Sequence, residues 1–170
     1  NGVDDLIKSL KFLEPTIKLD LLGGGVDELE LRQLVKDLKL EDRVRFLGHV
    51  PPERVVEYLV NADVFVRASR SEGLGNSFLE AMAAGVPTVG TPVGGIPDFL
   101  YGEQGRTIGQ EQTGWLCNVN DPQNIAEQVK FILDPVNTEK VKKIKESARK
   151  LVGDKYTWPS IAVKMGQLLQ

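Results

Sequence analysis

Residues 72–89 read EGLGNSFLEAMAAGVPTV, and this stretch decides how the fold is interpreted. It opens with a glycine-rich loop around Gly73 and Gly75 and runs directly into an apolar helical pattern that contains Glu80. Backbone N–H groups in such a loop and at a helix start point outward together, and the helix dipole adds partial positive charge. The stretch therefore predicts a loop-to-helix junction that suits a diphosphate.

Polar side chains around the junction add to this prediction. Either Asn76 or Ser77 is expected to cap the helix. Glu80 lies about one turn inside the helix, within reach of a ribose hydroxyl pair, and a carboxylate accepts two hydrogen bonds from a vicinal diol. Glu72 lies on the loop beside the expected phosphates. Any α/β domain needs glycine-rich loops for tight turns, so the loop and helix alone leave a purely structural role equally open.

Outside this stretch, short β-type runs alternate with amphipathic helical stretches, which predicts a Rossmann-like α/β fold with a parallel sheet flanked by helices. Strands are predicted at residues 17–22, 44–47, 63–67, 86–90 and 115–118, and helices at residues 3–12, 27–38, 52–60, 77–84, 121–133, 139–152 and 159–169. Glycine or proline marks the strand-to-helix junctions. Gly23, Val50, Gly73 and Gly94 are therefore expected at the carboxyl edge of the sheet, where ligands bind.

The composition excludes several classes of protein. With 170 residues, 41% of them apolar, the chain suits a single domain that spans residues 1–170. A net charge of −3 offers no basic field for nucleic acid. The one cysteine, Cys117, cannot form an internal disulfide, so a reducing, cytoplasmic compartment fits best. Neither a membrane-spanning helix nor a signal peptide is predicted.

The longer pattern resembles a known family. It consists of Glu72, seven further residues, Glu80, the string AMAAGVPTV and a second glycine loop, TPVGGIPD at residues 91–98. This pattern resembles the donor site of the retaining glycosyltransferases of family 4. GVDDLIKSL at residues 2–10 looks like the first donor-domain helix of that family, and DRVRFLGHV at residues 42–50 looks like its strand leading to the base pocket. The aromatic run Tyr156-Thr157-Trp158 resembles its terminal motif. The resemblance thus covers nearly the full chain.

The resemblance implies the donor-binding half of a two-domain, GT-B-type glycosyltransferase. The complete enzyme would transfer a sugar from a nucleotide diphosphate donor to a hydroxyl acceptor with retention, without a metal or other cofactor. Glu72 would be catalytic, approaching the donor sugar and the diphosphate. The implied donor-binding residues are Val50, Gly73, Leu74, Gly75, Asn76, Ser77 and Glu80. Val50 would contact the nucleobase through its backbone, the amides of residues 73–77 would hold phosphate or sugar, and Glu80 would bind the ribose.

The resemblance also indicates what the chain lacks. The acceptor-binding N-terminal domain is absent, so the chain alone is expected to bind donor without transfer. A doubly wound sheet ordinarily opens with a strand, whereas this chain opens with a helical pattern, so a first strand is expected upstream. Family members carry an arginine and a lysine on the segment entering the first helix. Asn1 occupies the lysine position here, so the basic pair lies upstream or is missing.

Three interpretations stay open at this point. The chain can belong to a nucleotide-sugar epimerase of the same architecture, or it can be a non-catalytic nucleotide-sugar-binding module. In the predicted helix 139–152, five lysines and Arg149 surround an apolar stripe, which fits either a peripheral membrane contact or an ordinary solvated helix face. His49, the only histidine, is interpreted as a loop residue near a pocket rather than as a general base.

Overall fold

The computed structural model describes residues 2–103, 109–157 and 159–160, and it shows helices alternating with short strands. The α-helices are α1 Val3–Ser9, α2 Glu28–Asp37, α3 Pro52–Val60, α4 Asn76–Ala84, α5 Pro122–Leu133 and α6 Thr138–Lys155. The strands are β1 Leu19–Leu22, β2 Val44–Gly48, β3 Phe65–Arg67, β4 Thr88–Gly90 and β5 Trp115–Leu116. The described residues also contain three short 3₁₀ helices, Leu10–Phe12, Ile96–Asp98 and Pro135–Asn137.

The strands of the described residues form two sheets, and every pairing is parallel. The first sheet holds β1 and β2, with Leu19 opposite Val44. The second has the order β3-β4-β5. The predicted α/β fold with parallel strands and flanking helices is confirmed, although the strands are divided between two sheets. Gly23, Val50, Gly73 and Gly94 each follow the carboxyl end of a strand, as predicted.

A cavity of about 1630 Å³ is lined by residues of both β1 and β3. Leu19 and Leu21 of β1 and Val66 of β3 line it, and all three pack against one apolar cluster while remaining only half-buried. The three residues of β4, in contrast, are all buried. Because β3 pairs with β4 on one side only, β3 is an edge strand of its sheet despite its apolar side chains.

Helix α6 carries the apolar stripe that was interpreted either as a membrane contact or as the inner side of a solvated helix. In the structure this stripe is buried. Val141 and Ile144 join a cluster with Trp115 and Ile132, while Ala148 packs in a second cluster with Phe78. The stripe is therefore part of the domain core, and its surrounding lysines form a solvated face. Within the described ranges, no helix is both long and apolar enough to cross a membrane.

Element boundaries differ from the prediction in a few places. The α-helical part of the predicted helix 3–12 ends at Ser9, and the remaining residues form a 3₁₀ turn. Three predicted strands begin two residues late, at Leu19, Phe65 and Thr88. The predicted helix 159–169 falls mostly outside the described residues, as does Trp158 of the aromatic motif.

Candidate functional site

The loop after β3 is held in place by the loop after β4. The hydroxyl of Thr91 donates a 2.5 Å hydrogen bond to the carbonyl of Ser69, and both residues are fully buried. The amide of Gly95 donates to the carbonyl of Gly73 at 2.9 Å. Gly94 has φ +56°, a conformation that favours glycine. The two glycine loops predicted from the sequence therefore form one packed unit at the carboxyl edge.

Helix α4 begins at this unit without a side-chain cap. Gly75, with φ 76°, occupies the N-cap position, and no side chain accepts a hydrogen bond there. The predicted cap by Asn76 or Ser77 is therefore wrong, because the helix begins at Asn76 and both residues lie inside its first turn. The first amides of a helix have no acceptor within the helix. In α4 the amide of Phe78 donates to the carbonyl of Gly75 at 2.9 Å, and the amides of Asn76 and Ser77 remain available for an anion.

Glu72 is fixed by an ionic network around the carboxyl end of β3. Its Oε2 pairs with Nη2 of Arg67 at 2.9 Å and accepts a hydrogen bond from the hydroxyl of Ser69 at 3.2 Å. Its Oε1 accepts from the amide of Gly73 at 3.2 Å. Nη1 of Arg67 also donates to Oγ of Ser77, at 3.0 Å. The glutamate is thereby joined to the first turn of α4.

The sequence interpretation missed Arg67. It is the final residue of β3, and its side chain is 41% exposed. One signal was present, because a charged residue stands at the end of an otherwise apolar strand that leads into the candidate site. Strand periodicity alone does not show where such a side chain points, and its contact with Ser77 depends on the packing of β3 against α4.

The predicted site residues lie in two groups around the cavity. Val50, Ser77 and Glu80 line the cavity itself, together with Arg67 and His49. Glu72 and residues 73–76 are not among its lining residues. They form the adjoining loop and helix start, which is connected to the lining through Arg67 and Ser77. Glu80 is exposed, so its carboxylate is open to a ligand.

A second ionic cluster ties α1 to the same loop. Arg70 contacts Asp4 at 2.8 Å and Asp5 at 2.6 Å, and its Nε donates to Asn120 at 2.6 Å. Lys8 also pairs with Asp4, at 2.9 Å. Burial raises the pKa of Asp4, but hydrogen bonds from Arg70 and Lys8 outweigh this effect, and the pKa falls to about 2. The two aspartates lie in the first turn of α1, where they favour its dipole, and they also anchor Arg70.

The α1 start lies directly on the end of β3. A Cβ added at Gly2 would stand 1.8 Å from the carbonyl oxygen of Ala68, and Gly2 has φ +72°. The amino terminus of α1 is therefore at the same carboxyl edge as α4. The starts of α1 and α4 therefore both lie at the carboxyl end of β3, beside the two packed glycine loops, and each helix start carries partial positive charge.

Comparison with known proteins identifies the family. The family described as "Glycosyl transferases group 1" matches residues 1–151. The chain belongs to this family. The group 1 relatives include N-acetyl-alpha-D-glucosaminyl L-malate synthase of Bacillus anthracis, which is 39% identical over 128 residues, or 74% of this chain and 31% of the relative. The GDP-mannose-dependent alpha-(1-6)-phosphatidylinositol monomannoside mannosyltransferase of Mycobacterium tuberculosis is 28% identical, over 99% of this chain and 44% of the relative.

Solved structures share the fold of this group 1 domain. Sucrose-phosphate synthase of Thermosynechococcus elongatus superimposes with a TM-score of 0.85 at 28% identity, covering 99% of this chain and 41% of the other. The C-terminal domain of a group 1 glycosyl transferase from Francisella tularensis gives 0.74 at 24% identity, covering 92% and 80%. The chain spans less than half the length of the two curated relatives described above. Its α/β fold matches the C-terminal half of GT-B enzymes.

Proposed function

We propose that the chain is the donor-binding domain of a retaining glycosyltransferase, which transfers a sugar from a nucleotide diphosphate to a hydroxyl acceptor. The observation that carries the proposal is the uncapped start of α4, which lies between two packed glycine loops beside Arg67. Uncapped helix amides next to a cation suit a diphosphate. Family membership supports the reaction class, since the relatives described above include a GDP-mannose-dependent mannosyltransferase.

The residue roles follow from position. The amide of Gly73 donates to Glu72, so the amides of residues 74–77 hold the phosphates or the sugar, and the exposed carboxylate of Glu80, on α4, binds the ribose hydroxyls. Val50 lies just beyond the carboxyl end of β2 on the cavity wall and contacts the nucleobase through its backbone. Leu74, 48% exposed on the loop, provides an apolar contact. Glu72 faces the donor sugar and the reacting diphosphate.

Catalysis in this proposal is electrostatic. Negative charge grows on the diphosphate as the bond to the anomeric carbon breaks, so fixed positive dipoles at that place lower the barrier. The packed glycine loops hold such dipoles in place before the reaction begins. Because these dipoles are already oriented, the protein does not have to reorganise while the bond to the anomeric carbon breaks. The acceptor and the groups that bind it belong to the other domain of the complete enzyme.

We further infer that a strand completes the sheet between β1 and β3. The cavity is lined by apolar side chains from both strands, and β3 is half-buried where a central strand is fully buried. The amide of Phe65 donates to Pro87 beside β4, so the next residue, Val66, directs its amide to the opposite edge, where the cavity lies. An extended apolar segment parallel to β1 and β3 would cover the apolar side chains and accept a hydrogen bond from the amide of Val66.

The proposed function is tested by calorimetric titration of the full-length protein with UDP, GDP and ADP, each beside its plain nucleoside. The nucleotide diphosphate is expected to bind more tightly than the nucleoside for at least one base, because the start of α4 favours an anion. Equal affinity for nucleoside and diphosphate with all three bases would refute the proposal. Incubation of a binding nucleotide sugar with a hydroxyl acceptor then distinguishes transfer from epimerisation of the donor.

A further inference from the structure

In the proposed function, the carboxylate of Glu72 lies beside the bound diphosphate, and both groups are negatively charged. A carboxylate beside a bound diphosphate is repelled by it, and the repulsion is strong in a partly buried site. The side chain of Glu72 is only 15% exposed. Its one ion-pair partner among the described residues is Arg67, whose guanidinium reaches from Glu72 to the first turn of α4. A cation in this place offsets the repulsion.

We propose that Arg67 binds the diphosphate of the donor directly, an assignment that rests on the proposed function. Its two hydrogen bonds, to Ser69 and Ser77, and its ion pair with Glu72 engage one nitrogen each, whereas a guanidinium carries five N–H donors in a planar fork. The fork suits two phosphate oxygens at once. The side chain is 41% exposed and lines the cavity, so a ligand there reaches it without displacing protein.

Arg70, the other arginine near this loop, has a different environment. It contacts two carboxylates, Asp4 and Asp5, and also Asn120. Its charge is therefore already offset within the protein, and its contacts connect α1 to the loop. Within the part of the chain that the structure describes, Arg67 forms an ion pair only with Glu72. Arg67 keeps its ion pair with Glu72 while its remaining N–H groups bind phosphate, and Glu72 also accepts hydrogen bonds from Ser69 and from the amide of Gly73.

The assignment is tested with Arg67→Gln and Arg67→Lys in the full-length protein, with Arg149→Gln as the control. Arg149 is an exposed residue of α6, so its variant removes the same charge away from the site. Each protein is titrated with UDP or GDP, with the monophosphate and with the nucleoside. Arg67→Gln is expected to weaken diphosphate binding by about 10- to 100-fold, as for a lost charge-assisted contact. Nucleoside binding stays unchanged, and Arg67→Lys lies between wild type and Arg67→Gln.

Chemical modification provides a second readout that needs no variant. Phenylglyoxal, an arginine reagent, is applied to the wild-type protein with and without the nucleoside diphosphate, and modified peptides are quantified by mass spectrometry. The diphosphate should protect Arg67, and the nucleoside should not. Diphosphate binding that leaves both Arg67 modification and the affinity of Arg67→Gln unchanged would overturn this assignment while the proposed function stands. Failure of the wild-type protein to bind any nucleoside diphosphate defeats the proposed function itself, and this assignment with it.

Discussion

The carbonyl oxygen of Glu72 lies so close to Gly94 that a Cβ at position 94 would stand 1.8 Å from it. Gly94 also has φ +56°, which L side chains rarely adopt. The contact joins the loop after β3 to the loop after β4. The position of Glu72 in the candidate site therefore depends on the absence of a side chain 22 residues further along the chain.

Replacing Gly94 by alanine should disrupt the packed loops, because the Cβ overlaps with backbone that cannot move without its neighbours. We expect Gly94→Ala to lower the free energy of unfolding by roughly 2 to 4 kcal/mol and to abolish nucleotide diphosphate binding. Gly85 is the matched control, since its φ is +76° and no atom lies near its Cβ position. Gly85→Ala should cost only about 1 kcal/mol and preserve binding. Denaturant unfolding and calorimetry check both variants, and equal effects would contradict the loop-packing explanation.

The fold was largely predictable from sequence because its signals are local. Hydrophobic periodicity and glycine punctuation predicted each strand and α-helix of the described residues to within a few positions. Two 3₁₀ helices of the described residues, Ile96–Asp98 and Pro135–Asn137, were missed, and the first of them lies within a glycine- and proline-rich loop. The division into two sheets was also missed. Strand pairing depends on which edges meet in space, and periodicity carries no information about that.

The site was predictable only in part. Its loop and helix start were recognised from sequence, but Arg67 and Arg70 were not assigned, because their roles depend on distant partners. Arg70 meets Asp5, 65 positions earlier in the chain. The cap on α4 was predicted wrongly because Asn76 and Ser77 are common capping residues, whereas the left-handed Gly75 occupies that position. Positive φ at a glycine cannot be read from the residue type.

The ion pairs of Asp4 predict a pH dependence of stability. Its pKa is about 2 in the folded protein, against a usual value of 3.8, so the folded state holds the proton less tightly than the unfolded state. The stabilisation is present above the unfolded pKa and is lost as the pH falls from about 4 to 2. Denaturant unfolding of wild type and Asp4→Asn should therefore show a difference in stability that shrinks across this window. A constant difference down to pH about 2 would argue against the ion pairs as its source.

The sheet edges predict a pattern of amide exchange. The amides of Leu19 and Phe65 donate to Arg43 and Pro87, whereas those of Asp20 and Val66 point to the opposite edges. In the 170-residue chain, Asp20 and Val66 should exchange faster than their neighbours, as judged by NMR. In the full-length protein, a strand between β1 and β3 should protect both amides. Unprotected Asp20 and Val66 in the full-length protein would exclude the proposed strand.

Burial of Cys117 predicts an unreactive thiol. The residue is 2% exposed, and burial raises its pKa to about 12, so the reactive thiolate is scarce in the folded state. At about pH 8, a disulfide reagent such as DTNB should label Cys117 only after unfolding in denaturant, with Cys117→Ser as the blank. The rate of labelling then reports opening of the core near β5. Rapid labelling of the native protein would show that this part of the core is open.

The two glutamates of the candidate site should respond differently to substitution. Glu80 is exposed on α4, with no salt bridge observed among the described residues, so Glu80→Ala removes a ligand contact without breaking the fold. We expect it to weaken binding of donor and free nucleotide diphosphate alike, by roughly 1 to 3 kcal/mol for lost charge-assisted hydrogen bonds. Unchanged affinity in a folded Glu80→Ala protein would remove the ribose contact from the proposal.

Glu72 is held by Arg67, Ser69 and the amide of Gly73, so its substitution acts on the reaction as well as on the loop. In the full-length enzyme, Glu72→Gln should lower kcat more than it lowers affinity for the nucleotide diphosphate, since the proposed role is in the transition state. Glutamine keeps the shape and part of the hydrogen bonding, and a thermal melt checks that the loop stays folded. Removing the negative charge also relieves repulsion of the diphosphate, so affinity should stay constant or rise. A Glu72→Gln enzyme with full turnover would mean that the carboxylate only orders the loop.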